Sequence, residues 1–303
     1  MKLPFSLKAP AKINLRLRVD GVGDAGLHRI HSMMADLGLS DEIRFEDTSD
    51  GFCVECDPPL VPERENLAWR APMSLQSPLP QVRINVLKRI PLEAGLGGGS
   101  SDAAAALRGI AMIMEARGEP VTPQAMLEAA SRTGADVPAC LCEGLKVVEG
   151  YGERVRPLDC RLPPWSIVLL RCGAGVLTAR AYALLDDDRS RVADSSNPAD
   201  VARDDEAIEG MRHALDSCDF SQFRSLLHND FTDVVERAYP HIARARRRLE
   251  GLGAQATLLC GSGSCVAGFY ERTAGASAAV QALAGASGCW SALTAFAPAG
   301  AAV

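Results

Sequence analysis

Twelve consecutive residues, Pro91-Leu-Glu-Ala-Gly-Leu-Gly-Gly-Gly-Ser-Ser-Asp102, constrain this chain more than any other stretch. Just upstream, Val82-Arg-Ile-Asn-Val-Leu87 alternates apolar and polar residues, the period of a half-buried strand. Just downstream, Ala103-Ala-Ala-Ala-Leu107 starts a helix. The segment therefore requires a strand, a tight turn and a helix N-terminus in series. Its glycines let the backbone turn sharply and let a bulky group approach the amides. Unpaired N–H groups and the positive end of the helix dipole favour an anion, phosphate above all. The serine hydroxyls suit phosphate oxygens or a phosphate-bound Mg²⁺. A glycine hinge followed by a Ser/Asp helix cap is the simpler alternative. The segment is not a P-loop, because no Gly-Lys-[Ser/Thr] ends it.

The rest of the chain limits what such a turn can serve. Its 303 residues suffice for one large or two ordinary domains, and 47% hydrophobic content fits a folded protein with a proper core. A net charge of −6 argues against a dedicated nucleic-acid binder. The basic run Arg244-Ala-Arg-Arg-Arg248 falls in a helical pattern and is expected on a solvated face. No apolar run is long enough to cross a membrane, and Met1–Pro10 lacks the apolar core of a signal peptide, so the expectation is a cytoplasmic protein without membrane contact. The ten cysteines, Cys140, Cys142, Cys172, Cys260 and Cys265 among them, are expected to act as small hydrophobes. Cys53-Val-Glu-Cys56 has no second pair to complete a zinc site.

In order, Ala9–Val19 alternates as a strand after Pro10, which predicts Lys12, Asn14, Arg16 and Arg18 on one face and Ile13, Leu15, Leu17 and Val19 on the other. A strand is expected at Glu42–Glu46, and a helix at Glu63–Gln76 shortened or kinked by Pro72. The helix after the glycine stretch should run to about Ala116, where Gly118-Glu-Pro stops it. A second spans Pro123–Thr133 and ends in Gly134-Ala-Asp-Val-Pro138. Asp136 then sits at a helix C-terminus, where an acid is poorly matched to the dipole, which marks it as a candidate for function. The boundary falls near residues 158–163, giving domains 1–160 and 161–303. In the second, Trp165–Leu170 reads as a buried strand, 185–205 as an acidic surface loop, and Glu206–Leu249 as helices broken near Asp219 and Pro240. Two strands, Ala256–Cys260 and Cys265–Tyr270, enclose a second glycine loop, Gly261-Ser-Gly-Ser264.

Four segments in this order, Ala9-Pro-Ala-Lys-Ile-Asn-Leu15, Pro91–Asp102, Gly134-Ala-Asp-Val-Pro138 and Cys260-Gly-Ser-Gly-Ser-Cys265, resemble the GHMP kinase superfamily, and the likeness runs from Ala9 to Phe269. The second and third together are most similar to the branch acting on 4-diphosphocytidyl-2-C-methyl-D-erythritol. The resemblance implies an α+β, two-domain GHMP kinase fold with ATP and substrate in the cleft between the domains. It implies transfer of phosphate from ATP to the 2-hydroxyl of that cytidyl intermediate, in the non-mevalonate route to isoprenoid precursors. By matching position, Lys12 and Asp136 are the catalytic pair. Pro91, Leu92, Glu93, Ala94, Gly95, Leu96, Gly97, Gly98, Gly99, Ser100 and Ser101 hold the nucleotide, with Ser100 or Ser101 facing the Mg²⁺ that ATP carries. His28 and Tyr182 are expected at the cytosine and Asn14 near the methylerythritol end. The partner is then a small molecule, and the protein a monomer or homodimer. The sequence departs from the family at Leu27 and Met34, where aromatics are usual, at Ala25, usually an acid, and at Glu93, usually glycine. Two alternatives stay open: a GHMP kinase for another small alcohol, homoserine or a sugar, and a GHMP-fold protein that binds ligand without turnover.

Overall fold

The computed structural model describes residues 2–23, 26–191 and 198–297. The alternating run around Lys12 grows into β1 (Phe5–Val22), which pairs antiparallel along its length with β2 (His28–Glu46). Thus the apolar residues after His28 and the strand expected at Glu42 form one long element. β3 (Phe52–Asp57) follows, then a 3₁₀ turn at Glu63–Glu65 and α1 (Leu67–Met73). The helix expected over 63–76 is therefore shorter, with Pro72 in its last turn. β4 (Val82–Leu87) pairs parallel with β3 and antiparallel with β2. α2 (Gly98–Ala116), α3 (Pro123–Thr133) and α4 (Val137–Leu141) come next, and β5 (Lys146–Gly150) and β6 (Arg154–Pro157) close the first half. The alanine-rich face of α2 lies on Leu7, Ala9, Ile43, Phe45 and Ile84 of the sheet.

The second half holds β7 (Ser166–Cys172), α5 (Thr178–Arg191), α6 (Pro198–Asp216), α7 (Phe220–Leu226), β8 (His228–Asn229), α8 (Thr232–Ala238) and α9 (Pro240–Gly251). β9 (Ala256–Leu259), β10 (Val266–Tyr270), α10 (Thr273–Leu283) and β11 (Cys289–Ala295) complete it. Its antiparallel sheet has the order β11-β7-β10-β9. β7 reads as an unbroken apolar run because both of its faces are covered. Ile167 and Leu169 join a core shared with β1, β2, α6 and α7, and Val168 and Leu170 join one under α5, α8, α9 and α10. β8, from the second half, pairs parallel with β1 of the first.

Four sequence expectations fail, each for a physical reason. The segment 185–205 is not a loop: its described part belongs to α5 and α6. The acids of α5 face outward, Asp188 to Arg237, while Ala181 and Leu185 are buried. The faces of β1 do not alternate evenly, because a register shift between Asn14 and Arg16 inserts an extra residue opposite β2. Beyond that bulge Arg16 and Arg18 reach Asp204 of α6. Val137-Pro138 does not end a helix but starts α4, with proline in its first turn, where it is pre-organised. Cys172 is not a free small hydrophobe; it is disulfide-bonded to Cys289, its cross-strand partner on β11.

The α2–sheet contact depends on Gly109, where a Cβ would overlap the ring of Phe45, itself fully buried and stacked on Phe5. Gly109→Ala is expected to cost about 1–3 kcal/mol of stability as overpacking, read as a lower denaturant midpoint at unchanged slope.

Candidate active site

The glycine stretch spans from β4 to α2. Gly97 is the helix N-cap at φ +68°, and no side chain caps the helix, so the amides of Gly98, Gly99 and Ser100 face a cavity of about 430 Å³. Two glycines are required by contact as well as by backbone angle. At Gly95 (φ +74°) a Cβ would overlap the carbonyl oxygen of Cys260, and at Gly97 it would lie 2.7 Å from Cγ of Lys12. The second glycine loop docks here through its backbone: the Ser264 amide donates to Glu93 O at 3.3 Å and the Cys265 amide to Ala94 O at 3.2 Å. Glu93 adopts φ +52°, a conformation that suits the glycine usual at this position. Its side chain leans on Gly175 of the second half, whose missing Cβ makes the room.

Lys12 crosses beneath this loop. Its backbone amide donates to Leu96 O at 2.9 Å, and its ammonium donates to Asn14 Oδ1 at 2.7 Å. The same ammonium lies 3.4 Å from Asp136 Oδ2. Lys12 is buried, whereas the Asp136 side chain keeps 35% of its exposure and opens to the cavity. Asp136 is the N-cap residue of α4, the end of a helix at which an acid is favoured, and its carboxylate is not spent on capping. Leu17, not Arg16, joins Lys12 and Asn14 in the cavity wall, which follows from the bulge.

Tyr182, on α5, closes the far end of the cavity. Burial, then the charge of Asp136, pushes its phenol up to about 12. His28 stacks on its ring at 4.5 Å between centroids, and Phe231 meets its edge at 4.9 Å. Asp186, one helical turn beyond Tyr182, holds His28 Nε2 at 2.6 Å. Leu27, at 57% exposure, is not part of the cavity lining, and Met34 packs with Ala139 of α4 and Val148. Ala25 lies outside the described residues. Of the two serines, Ser100 lines the cavity, whereas Ser101 is 1% exposed and faces inward. The cavity thus brings together Lys12, Asn14, the stretch Pro91–Ser100, Asp136 and Tyr182, with His28 behind Tyr182.

The sequence reading missed a buried cluster behind the loop. Lys88 Nζ donates to Asp41 Oδ2 at 2.5 Å and to Asp102 Oδ2 at 2.6 Å, so it is engaged by these acids and not by Glu93. Burial pulls the Lys88 ammonium down, but Asp102 and Asp41 outweigh it and leave it raised. Burial pushes Asp102 up to about 7 against the pull of Lys88, with Asp41 adding repulsion. The signal was available in principle: an acid one turn into an alanine-rich helix, with a lysine just before the glycine stretch.

Comparison with known proteins follows the same map. Residues 66–144 match the GHMP kinases N terminal domain, and residues 211–287 match GHMP kinases C terminal. The 4-diphosphocytidyl-2-C-methyl-D-erythritol kinase of Moorella thermoacetica is 34% identical, with 87% of this chain and 89% of that protein covered. The kinase of the same name from Shouchella clausii is 33% identical over 89% of this chain and 87% of its own. A crystal structure of 4-(cytidine 5'-diphospho)-2C-methyl-D-erythritol kinase superposes with a TM-score of 0.74 at 31% identity, covering 97% of this chain and all of that one, 100%. A homoserine kinase from Cytophaga hutchinsonii shares the fold, with a TM-score of 0.68 at 16% identity over 98% and 95% of the two chains.

Two outcomes follow from the geometry. Gly97→Ala should strain the helix entry and displace Lys12, lowering turnover at least tenfold in a steady-state assay while the protein still melts cooperatively. For Asp102 the folded value lies above the ordinary 3.8, so the folded state holds more protons between about pH 4 and 7 and loses stability as pH rises through that window. Asp102→Asn removes this loss, and its melting temperature relative to the parent should rise from pH 5 to pH 8.

Proposed function

The chain belongs to the GHMP kinases, and from that membership we propose that it transfers the γ-phosphoryl group of ATP to the 2-hydroxyl of 4-diphosphocytidyl-2-C-methyl-D-erythritol. This is a step of the non-mevalonate route to isoprenoid precursors. The observation that carries the reading is the Lys12 ammonium 3.4 Å from an Asp136 carboxylate that opens to the glycine-loop cavity. The relatives at 33–34% identity favour this acceptor over homoserine, whose kinase shares only the fold. A lysine and an acid paired at the wall of such a cavity suit phosphoryl transfer, which favours a kinase over a non-catalytic binder.

In this reading Asp136 orients the acceptor hydroxyl and takes its proton as the oxygen attacks the γ-phosphorus. The bond from that phosphorus to the β,γ-bridging oxygen breaks, and ADP leaves. Lys12, 3.4 Å from Asp136 Oδ2, faces the charge spread over the transferring group. The amides of Gly98–Ser100 at the α2 N-terminus carry the phosphates, a task that a P-loop shares with its lysine. Much of the acceleration comes from positioning, because the transition state of phosphoryl transfer is loose.

Mg²⁺ bound with ATP would neutralise phosphate charge, and the Ser100 hydroxyl lining the cavity is the protein group that would face it. Tyr182, backed by the stacked His28, receives the cytosine, and Asn14 lies toward the methylerythritol. The two domains divide near residue 160, and the protein works in the cytoplasm as a monomer or homodimer. Among the described residues no helix is long and apolar enough to cross a membrane.

The test is ATP turnover against a panel of the cytidyl intermediate, homoserine, mevalonate and galactose. ADP formation with the cytidyl intermediate alone is expected; turnover only with another alcohol would sink the reading. Asp136→Asn should lower kcat by about 10²–10⁴-fold with the KM for ATP within threefold. Tyr182→Ala should raise the KM for the cytidyl substrate by about 5- to 150-fold, the worth of one stacking contact.

A further inference from the structure

Lys12 does not reach Asp136 unaided. Its ammonium can only donate, so the atom of Asn14 that meets it at 2.7 Å is the amide oxygen. The amide nitrogen of Asn14 must then donate, and it does so to the hydroxyl of Ser32 at 2.8 Å. With one lone pair taken, the Ser32 hydroxyl donates its proton to the carbonyl oxygen of Arg16 at 2.7 Å, which has no donor to offer. The chain Lys12 → Asn14 → Ser32 → Arg16 C=O therefore runs in one direction only, fixed by the chemistry of its two ends. It starts at the proposed catalytic ammonium and ends at the β1 bulge, where the register shift falls between Asn14 and Arg16. Ser32 is fully buried, and Asn14 and Lys12 are nearly so, so no water competes for these bonds.

We propose that Ser32 is a positioning residue for the phosphoryl transfer. Its hydroxyl locks the orientation of the Asn14 amide, and that amide aims the Lys12 ammonium at Asp136 and the transferring group. Without the hydroxyl the Asn14 N–H₂ has no fixed acceptor, and a half-turn of the amide would set N–H groups against an ammonium. Gly261, which passes Lys12 Nζ and Asn14 Oδ1 with no side chain of its own, leaves this pair the room it occupies. The bond to Ser32 gives Asn14 a task beside its proposed contact with substrate. The inference rests on the reading of Lys12 and Asp136 given above.

The experiment compares the wild type with Ser32→Ala, Ser32→Thr, Asn14→Ala and the Asn14→Ala/Ser32→Ala pair, using ATP and the cytidyl intermediate. Ser32→Ala should lower kcat about tenfold, with both KM values within twofold, because the ammonium is misaimed while the binding surfaces stay intact. Ser32→Thr, which keeps the hydroxyl, should retain at least half of the wild-type kcat. In the Asn14→Ala background Ser32→Ala should cost nothing further, since the two residues act through one chain. Wild-type kcat in a cooperatively melting Ser32→Ala protein overturns the proposal. Equal losses in the alanine and threonine variants overturn it as well, and so do fully additive losses in the double variant. Should the alanine variant fold poorly, Ser32→Cys carries the same comparison with a weak donor of similar size. Absence of wild-type turnover with the cytidyl intermediate would instead defeat the functional reading, so the two failures are separable.

Discussion

The passage of Lys12 beneath the glycine loop is the contact on which the rest of the site depends. Its backbone ties β1 to Leu96, its stem lies where a side chain at Gly97 would stand, and its ammonium ends between Asn14 and Asp136. One residue thereby sets the phosphate-binding turn, the proposed base and the β1–β2 ladder in a common frame. The second glycine loop presses on the same turn from the other side, through Cys260, Ser264 and Cys265. Neither approach is possible with a Cβ at Gly95 or Gly97, so these glycines are demanded by contacts distant in sequence as much as by the local turn.

The charges around the cradle are unequally distributed. Lys12 and Lys88 both line the cavity, but the Lys88 ammonium is bound to Asp41 and Asp102. Bonded to two acids, it ties Asp102 of α2 to Asp41 of β2.

Much of this was legible in the amino-acid order because the cradle is contiguous. Strand, glycines, serines and helix follow one another, and β4 and α3 fall on their expected residues. Contributions assembled from a distance were not legible. The β1 bulge is invisible to a period-2 pattern, so Arg16 and Arg18 were set on the wrong face. The acids of α5 outweighed Ala181 and Leu185, which alone mark its buried side. Val137-Pro138 is a stop in one context and a start in another, and only the turn of the chain at Gly134 decides between them. Asp186, Ser32 and the Cys172–Cys289 pair are made significant by what stands opposite, which no local pattern records.

One apolar core runs continuously from the first sheet to the second, and the two-residue β8 stitches the later half of the chain onto β1 beside Arg16 and Leu17. Parting the two halves would break close-packed side chains. The cleft is walled by residues of both, Lys12 and Asp136 from the first and Tyr182 and Phe231 from the second. Its wall is shared in the same way, Leu92 and Glu93 coming from the first half and Val176 and Leu177 from the second, so neither half encloses the cavity by itself.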